Sequence, residues 1–475
     1  MNPSLATLIC ACGIAGLFYL DRDNSLRTSK ALWLPVIWIW IVGSRSVSSW
    51  LGVSPTGGNL QLDGSPVDAA VFGVLSAVAI GVLIRRRSRT RALLAANWPI
   101  LIYFFYCLIS VAWSYHPDVA FKRWIKAIGD LAMVLVIVTE SQLSDALCRL
   151  FSRVGFLFFP TSVLLIKYYA DLGREYDPFG GEHNAGVSTG KNMLGIMLLV
   201  ISLGTLWRVI TLMRARGQPN RGRHLLAQGV LLAFGIVLLE MADSATSIAC
   251  FILGGGLILA TGLRAIRSRP ARVHVLCLAI VLTGGLGMLF GGESVATSAL
   301  GRNSNLTGRT DIWAAVIPAA PNSIVGAGFE SFWISPNVLK FQRSMVGYWH
   351  PEYLNEAHNG YIEVYLELGW VGVALISLIL ISGYRRAIAA FRLNASIGGL
   401  MLAYIMAAAV YSISEAGFRM LDPIWIFLLL AAVASGGIAS GVINKSSRPH
   451  RTPNNRAPGL PAKGGVATKT LVGSI

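Results

Sequence analysis

Long apolar segments recur along this chain, and they constrain its fold more than any other feature. About 13 runs are long enough to cross roughly 30 Å of hydrocarbon, the first near Leu5–Leu20 and the last near Ile424–Ile443. Hydrophobic residues make up 54% of the 475 positions, and charged residues make up only 13%. Inside a bilayer every backbone polar group must be satisfied internally, which favours helices for runs of this length. The sequence therefore predicts an all-α polytopic membrane protein with about 12–13 transmembrane helices.

Positive charge is divided unevenly between the connections that join these segments. Alternate connections hold 28 of the 40 Lys and Arg residues, including the run Arg85–Arg91, and the remaining connections hold 12. Because Lys and Arg are enriched on the cytoplasmic side of membrane proteins, the N-terminus is expected outside and the C-terminus inside. The net charge of +17 thus reports membrane topology, and no nucleic-acid partner is expected.

The apolar pattern divides the chain into four parts. Residues 1–290 are expected to form the N-terminal transmembrane helices, and residues 358–443 the C-terminal transmembrane helices. Between them, residues 291–357 form one large polar loop, expected to be periplasmic and to carry short helices. Residues 444–475 are rich in Pro, Gly, Asn and Lys and lack periodic apolar positions, so they are expected to be a disordered cytoplasmic tail.

The edges of the large loop carry an arginine and a histidine. Arg309 precedes a short helix in which Thr310 is expected to be the N-cap. His358 is expected to begin the next transmembrane helix at its water-facing end. A guanidinium is a permanent cation and an imidazole titrates near neutral pH, so this pair is suited to substrate binding or catalysis. The structural alternatives are a snorkelling arginine and an interfacial or helix-capping histidine.

Further cations lie in the connections that are expected outside. Arg123, Lys191 and Arg419 are each, taken alone, typical of an anchor at the membrane interface. A guanidinium presents a planar fork that matches phosphate oxygens, which suits Arg309, Arg123 and Arg419 to a diphosphate. Because they share one side of the membrane, we expect Arg123, Lys191 and Arg419 to form a diphosphate-binding site.

Residues next to His358 are candidates for a supporting role. Asn359 is expected to cap the helix, with contact to a sugar hydroxyl as the alternative. Tyr361 is expected on the same helix face as His358, three positions along. Glu363 lies just inside the bilayer and is a candidate orienting partner for the histidine.

Acidic residues on the outer side are dispersed, and no metal site is expected there. Glu352 and Glu356 are expected to orient His358 rather than to bind an ion. The triplet Asp21–Asp23 has the D-x-D form of metal-dependent nucleotide-sugar transferases. Because it falls in a short turn without a surrounding nucleotide-binding fold, it is expected to be a solvated turn.

Three motifs in the second half of the chain resemble the O-antigen ligase and polysaccharide polymerase superfamily, in particular its exopolysaccharide-production branch. They are Thr307–Trp313 around the loop arginine, Gly326–Phe332 after it, and His358–Gly372 at the start of the following helix. Weaker similarity is found at Val111–Pro117 and Gly190–Asn192.

This resemblance implies a metal-independent, inverting glycosyl transfer on the periplasmic face of a bacterial inner membrane, without a cofactor. The donor would be a glycan linked to a polyprenyl diphosphate, and the acceptor a glycan or a lipid. The catalytic histidine and loop arginine of the family would correspond to His358 and Arg309. His358 would take the proton from the acceptor hydroxyl, and arginines would stabilise the departing diphosphate. Proteins of polysaccharide export or chain-length control are candidate partners.

The residues leave several alternatives open. A transporter or flippase of lipid-linked oligosaccharide would also need many helices and outward-facing cations, although it would place charges near the middle of the membrane. A scaffold in an export complex would explain the helices but not the pairing of His358 with Arg309. The motifs do not separate a polymerase from a ligase, and they leave the sugars, the linkage, the acceptor and the oligomeric state undetermined.

Overall fold

The protein is almost entirely helical in the part of the chain that the structure describes. The computed structural model describes residues 2–53, 64–176, 181–215, 217, 219–290, 307–336, 338 and 355–443. The helices are α1 (Pro3–Leu20), α2 (Trp33–Gly43), α3 (Val47–Trp50), α4 (Pro66–Arg85), α5 (Arg87–Ala96), α6 (Trp98–Ser110), α7 (Pro117–Val138), α8 (Leu143–Tyr168), α9 (Ala170–Gly173), α10 (Lys191–Arg214), α11 (Arg221–Ala242), α12 (Ala245–Thr261), α13 (Arg264–Arg267), α14 (Pro270–Phe290), α15 (Thr307–Val316), α16 (Gly360–Leu393), α17 (Ala395–Tyr411) and α18 (Pro423–Ala439). Short 3-10 helices occupy Lys30–Leu32, Val111–Trp113 and Phe332–Ile334, and β1 (Arg174–Tyr176) pairs antiparallel with β2 (Glu182–Asn184).

The fold is that of an all-α polytopic membrane protein, as the sequence predicts. Within the described residues, 6 helices are long and apolar enough to cross a bilayer, and the number is 7 if the bent pair α5 and α6 is one span. Shorter apolar helices accompany them, among them α12, α17 and α18. A helix of 17 residues reaches about 25 Å, less than the hydrocarbon thickness. The predicted count of about 13 spans therefore exceeds the number of helices that are individually long enough.

The two C-terminal helices form the centre of the bundle. Nearly every residue of α17 and α18 is buried, and α16, α7 and α10 pack around them. The aromatic rings of Phe151, Tyr404 and Phe427 meet between these helices, with ring centroids 5.0 to 6.3 Å apart. In contrast, α1 and α4 are apolar all round and mostly exposed, which is typical of helices that face lipid.

Helix α16 is interrupted at Gly369, and the interruption joins the large loop to the bundle. Gly369 has φ +62°, and any Cβ there would overlap the backbone of Ile324. Gly326, with φ +69°, approaches the backbone of Glu367 equally closely. The backbone groups freed by the interruption bind the loop, since the N–H of Trp370 donates to the Ser323 carbonyl at 2.9 Å. Two of the glycines in the sequence motifs thus permit backbone-to-backbone packing.

The bundle has two ends, which we call the His358 end and the Arg86 end after a residue that lies at each. Helix α7 begins near the loop that contains Glu330, and its last turn leads to Thr139 and Glu140, which contact Arg86. At 22 residues it spans about 33 Å, close to the thickness of a bilayer. The His358 end and the Arg86 end are therefore separated by roughly one membrane thickness.

The Asp21–Asp23 triplet lies in the first turn of the chain, and the prediction that it is a solvated turn is wrong. The side chain of Asp21 is only 8% exposed, with Oδ1 2.7 Å from Nη2 of Arg208 and 3.3 Å from Nδ1 of His224. The prediction failed because the partners lie on α10 and α11, which are 187 and 203 positions away along the chain. The triplet has a structural role, since it joins three helix ends through ion pairs.

Candidate active site

Charged side chains from four separate parts of the chain form a row at the His358 end in which opposite charges alternate. We call this row the charge chain. It consists, in spatial order, of Arg309, Glu415, His358, Glu356, Arg419 and Glu330.

The first half of the charge chain joins the large loop to the connection between α17 and α18. Nη2 of Arg309 lies 2.8 Å from Oε1 of Glu415. Oε2 of Glu415 lies 3.5 Å from Nδ1 of His358, and Oε1 of Glu356 lies 2.9 Å from the same nitrogen. Neither contact to Nδ1 has the angle of a good hydrogen bond, so these are ion contacts. Glu356 thus contacts His358 as predicted, whereas Glu352, for which the same role is predicted, lies outside the described residues.

The second half of the charge chain brings in two more of the predicted arginines. Nη1 of Arg419 lies 3.4 Å from Oε2 of Glu356, and its Nη2 lies 3.8 Å from Oε2 of Glu330. Nη1 of Arg123, on α7, donates to the backbone carbonyl of Glu330. The structure thus brings Arg123, Arg309 and Arg419 to the site of His358, as their shared side of the membrane predicts.

The backbone on both sides of His358 is fixed by hydrogen bonds. The carbonyl of Ala357 accepts from Nε1 of Trp313 on α15 at 2.8 Å, and the N–H of Ala357 donates to Oε1 of Glu363 at 3.0 Å. The N–H of Gly360 donates to the Ser412 carbonyl at 2.8 Å. These bonds hold the histidine between the large loop, α16 and α17.

Strained backbone is concentrated around the charge chain. Three non-glycine residues there have a left-handed conformation: Glu330 with φ +50°, His358 with φ +49°, and Leu421 with φ +55°. The N–H of Leu421 is held by the buried carboxylate of Asp130 at 2.9 Å, which helps to fix this conformation. Such strain costs about 1–3 kcal/mol per residue and is most often found at functional sites.

The predicted position of His358 on the helix is wrong. Helix α16 begins at Gly360, and Asn359 is its N-cap, with Oδ1 accepting from the N–H groups of Tyr361 and Ile362 at 3.0 and 3.1 Å. Because the N-cap residue marks the start of the helix, His358, which precedes Asn359, lies outside it. The predicted capping role of Asn359 is confirmed, and its Nδ2 also donates to the Ile413 carbonyl at 2.8 Å.

Tyr361 and Glu363 lie behind the charge chain rather than in it. The hydroxyl of Tyr361 donates to the Ala409 carbonyl on α17 at 3.0 Å. The buried carboxylate of Glu363 accepts from Nε1 of Trp333 at 2.8 Å and from the N–H of Ala357. Glu363 therefore supports the histidine through the backbone of the preceding residue and not by contact with the imidazole.

Arg309 lies inside a helix, contrary to the prediction that the helix begins with Thr310 as its N-cap. Helix α15 begins at Thr307, which places Arg309 in its first turn. The buried side chains of Ile312 and Val316 pack this helix against Phe332. The side chain of Arg309 is 27% exposed and reaches away from the helix to Glu415.

The carboxylates control the protonation of His358. Burial lowers the pKa of His358, but the contacts with Glu356 and Glu415 outweigh this effect and raise the pKa to about 10. Burial likewise raises the pKa of Glu356, but His358 and the charges of Arg419 and Arg309 lower it to about 2. This raised pKa makes His358 an imidazolium at pH 7, contrary to the prediction that it titrates near neutral pH.

The charge chain also contains a set of atoms with the spacing of a metal site. Ligand atoms of Glu356, His358 and Glu415 all lie within 4.8 Å of one another. The same carboxylates are already in contact with Arg309 and Arg419. A divalent cation would be repelled by both guanidinium groups, so this donor set fits a network of ion pairs better than a metal ion.

Lys191 is the predicted site residue that the structure does not place with the others. Its Nζ lies 3.5 Å from Nε2 of His183 on the β-hairpin. This contact joins it to the hairpin and not to a member of the charge chain. The prediction that Lys191 binds the diphosphate thus gains no support from the geometry.

Two members of the charge chain, Glu330 and Glu415, were not singled out by the sequence analysis. Glu415 shares a short connection with Arg419, and Glu330 lies within the Gly326–Phe332 motif. Both are buried acids. For Glu415, its proximity to Arg419 in the sequence was a usable signal. Glu330, in contrast, resembles any loop carboxylate until the fold is known.

Comparison with known proteins agrees with this arrangement. A family model described as O-antigen ligase matches residues 229–377. This range runs from α11 into α16 and includes Arg309, Glu330, Glu356 and His358, whereas Glu415 and Arg419 lie beyond its end.

A curated protein with similarity over a longer range is the exopolysaccharide production protein ExoQ of Rhizobium meliloti (strain 1021). It is 26% identical over 299 residues, which are 60% of this chain and 64% of that protein. The chain thus spans less than two thirds of the relative it matches. Together the two findings confirm the resemblance to the O-antigen ligase and polysaccharide polymerase superfamily and to its exopolysaccharide-production branch.

Proposed function

We propose, from the premise that this chain is a relative of the O-antigen ligases, that it is a membrane glycosyltransferase that polymerises or ligates glycan carried on a polyprenyl diphosphate. The reaction takes place at the His358 end, which faces the periplasm of a bacterial inner membrane. The N-terminus is periplasmic and the C-terminus cytoplasmic, in keeping with the distribution of Lys and Arg. The donor is a lipid-linked glycan, and the acceptor is a glycan or a lipid.

The charge chain is the observation that carries this proposal. It presents Arg309, His358 and Arg419 within one cluster, each 27% to 32% exposed at its side chain. A diphosphate leaving group needs several cations close together, because negative charge builds up on its oxygens as the sugar departs. Guanidinium forks at Arg309 and Arg419 match phosphate geometry, and both belong to outward connections of the predicted topology.

The protonation of the site divides the chemical roles. The acceptor hydroxyl oxygen forms a bond to the anomeric carbon, and the bond from that carbon to the diphosphate oxygen breaks with its electron pair, so that polyprenyl diphosphate leaves. Since the raised pKa of His358 keeps it an imidazolium at neutral pH, its role is to stabilise the leaving diphosphate. Glu356, which is ionised and more exposed than Glu415, takes the acceptor proton.

A weak carboxylate base is adequate for this reaction type. In glycosyl transfer the transition state resembles an oxocarbenium ion, and the attacking hydroxyl becomes acidic as the new bond forms. Inverting glycosidases use a carboxylate for the same task. In this scheme Arg309, Arg419 and His358 supply the positive charge that a metal ion supplies in other transferases, so the reaction is metal-independent.

Reconstitution tests the proposal. The purified full-length protein is placed in liposomes with a polyprenyl-diphosphate glycan, and the products are separated by size with and without EDTA. We expect longer or transferred glycan in both conditions, and its loss in Arg309→Ala. Arg174→Ala is the matched control, because Arg174 is 33% exposed and ion-paired to Glu182 on the β-hairpin.

Several outcomes contradict the proposal. Transfer that is lost on chelation overturns the metal-independent mechanism. In cells, accumulation of the lipid-linked precursor on the inner leaflet in Arg309→Ala, instead of the outer leaflet, identifies the protein as a flippase. The length of the glycan product distinguishes a polymerase from a ligase. A polymerase gives a ladder of product lengths, whereas a ligase gives a single transfer product.

A further inference from the structure

A large basic cavity opens at the opposite end of the bundle from the charge chain. Its volume is about 820 Å³, within the range of roughly 300–1,000 Å³ that is typical of ligand sites. It lies between the connection before α2, the junction of α4 and α5, and the connection after α7. The residues that line it include Arg85, Arg86, Arg87, Arg89, Thr139 and Glu140.

One arginine of the cavity is fully engaged and forms its fixed wall. Arg86 donates from Nη2 to Oε1 of Glu140 at 2.7 Å and to Oγ of Ser29 at 2.8 Å, and from Nη1 to Oγ1 of Thr139 at 3.1 Å. Glu140 also accepts from the N–H of Ser29 at 2.8 Å. Among the described residues that line the cavity, Glu140 is the one acid, and Arg86 neutralises it.

The other arginines leave the cavity with excess positive charge. In the described part of the chain, no carboxylate lies within ion-pair distance of Arg85, Arg87 or Arg89. Nη1 of Arg89 reaches only the Thr139 carbonyl at 3.4 Å, and its buried Nε has no hydrogen-bond partner there. The first turn of α5, which has no side-chain cap, lines the same cavity with free backbone N–H groups. This is an environment for an oxyanion.

The geometry of α5 sets the depth of the cavity in the membrane. Helices α5 and α6 meet at an angle of 88°, and α6 is apolar with exposed side chains such as Phe105. If α6 crosses the membrane, α5 must lie along its surface, with Trp98 at the bend in the position typical of an interfacial anchor. The cavity is therefore at the depth of lipid phosphates. No Asp or Glu side chain follows Asp422 in the sequence.

We propose that this cavity binds the phosphate group of an anionic membrane lipid. The shared chemistry is a phosphate oxyanion held by Arg85, Arg87, Arg89 and the N-terminus of α5. A soluble phosphate compound has the same chemistry, so the test includes one. The site is about one membrane thickness away from the charge chain, and the proposal does not depend on the function assigned there.

Thermal unfolding of the purified full-length protein tests this site. In detergent, short-chain phosphatidylglycerol is expected to raise the apparent Tm by several degrees, because a ligand that binds only the folded state stabilises it. Short-chain phosphatidylcholine, which has no net charge, is expected to leave it unchanged. In the triple variant Arg85→Gln, Arg87→Gln, Arg89→Gln, binding of phosphatidylglycerol should be about 10- to 100-fold weaker. The reason is that each arginine near an anionic lipid contributes a similar part of the binding free energy.

The matched control is the triple variant Arg264→Gln, Arg267→Gln, Arg269→Gln, which removes the same charge from another basic connection. It should respond like the wild type. If the triple variant unfolds, the single variant Arg89→Gln replaces it in the test. Its rise in apparent Tm with phosphatidylglycerol should be smaller than that of the wild type. Equal responses to the two lipids, or an undiminished response of both cavity variants, overturn the proposal. A shift produced by inorganic phosphate or ATP but not by phosphatidylglycerol overturns the lipid as the source.

Discussion

Glu415 binds Arg309 through a contact of 2.8 Å although 106 positions separate them in the sequence. Its other oxygen lies 3.5 Å from His358. One carboxylate thus joins the arginine of the large loop to the histidine before α16, and it comes from a connection that lies beyond the region matched to the O-antigen ligase family. The charge chain thus includes the last connection between helices as well as the large loop.

Replacing Glu415 with Gln should reduce glycan transfer without unfolding the protein. The amide keeps the shape but removes the charge that positions Arg309 and His358. A hydrogen bond to a charged group contributes about 1.5–3 kcal/mol, so kcat/KM should fall roughly 10- to 100-fold. Glu182→Gln, which breaks the ion pair to Arg174 on the β-hairpin, is the control and should keep full activity. Unchanged activity in Glu415→Gln contradicts this role.

The pH dependence of transfer should identify the role of His358. With its pKa at about 10, the imidazolium form persists across neutral pH, so activity should stay level from about pH 7 to 9 and fall as the pH passes about 10. His358→Gln should lack this alkaline limb and have low activity throughout. If His358 were instead the general base, activity would rise over the same range, and the imidazolium could not be the form that assists the leaving diphosphate.

The same shift predicts how the stability of the protein depends on pH. A pKa raised in the folded state means that the ion pairs of His358 stabilise fully below its ordinary pKa of 6.5, and that this stabilisation is lost as the pH rises through about 10. The difference in apparent Tm between the wild type and His358→Gln should therefore be largest below pH 6.5 and should shrink toward pH 10. A difference that grows with pH would show that the folded state does not hold the proton.

Replacing Glu356 with Gln removes the proposed proton acceptor. Loss of a general base typically lowers kcat about 100- to 10,000-fold, and Glu356→Asp should recover part of the activity. The loss of this carboxylate also takes away the strongest contact to Nδ1 of His358, so the pKa of His358 should move down toward 6.5. Measurement of the alkaline limb in the residual activity of Glu356→Gln checks this second effect. Wild-type kcat in Glu356→Gln would exclude it as the base.

Replacing Gly369 with Ala should destabilise the join between the large loop and α16. Its φ of +62° costs a residue with a Cβ about 1–3 kcal/mol, and the Cβ would also overlap the backbone of Ile324. We expect a drop of several degrees in apparent Tm together with reduced transfer. Gly383→Ala, further along the same helix, is the control, because its Cβ would meet its nearest neighbours at an ordinary 3.6 Å. Equal stability of the two variants would show that the loop tolerates displacement.

The location of the charge chain was predictable from the sequence, but the contacts within it were not. Arg309 and His358 stand out because a cation and a titratable group flank the only long polar loop. Arg123 and Arg419 were predicted to join them only because their connections lie on the same side of the membrane. Two residues on the same side of the membrane can still lie far apart along its surface. The prediction therefore also included Lys191, which contacts His183 on the β-hairpin.

Local structure at the site depends on contacts that spacing does not encode. His358 was expected on a helix, but Asn359 caps that helix and leaves the histidine with a left-handed backbone. Its raised pKa comes from Glu356, two residues away, and from Glu415 on another connection. The burial of Asp21 has the same cause, because its partner Arg208 becomes adjacent only when α1 and α10 pack.

Because the charge chain already supplies each of its cations with a carboxylate, a ligand enters this site by exchange and not by filling it. An incoming anion must release Glu415 from Arg309 or Glu356 from Arg419, and each release leaves a carboxylate that needs a new partner. Under the proposed function, we expect the two linked phosphates of a diphosphate, which reach further than a single phosphate, to replace both contacts. The ion pairs within the charge chain would then favour a pyrophosphate-linked lipid over inorganic phosphate before any contact to the sugar is made.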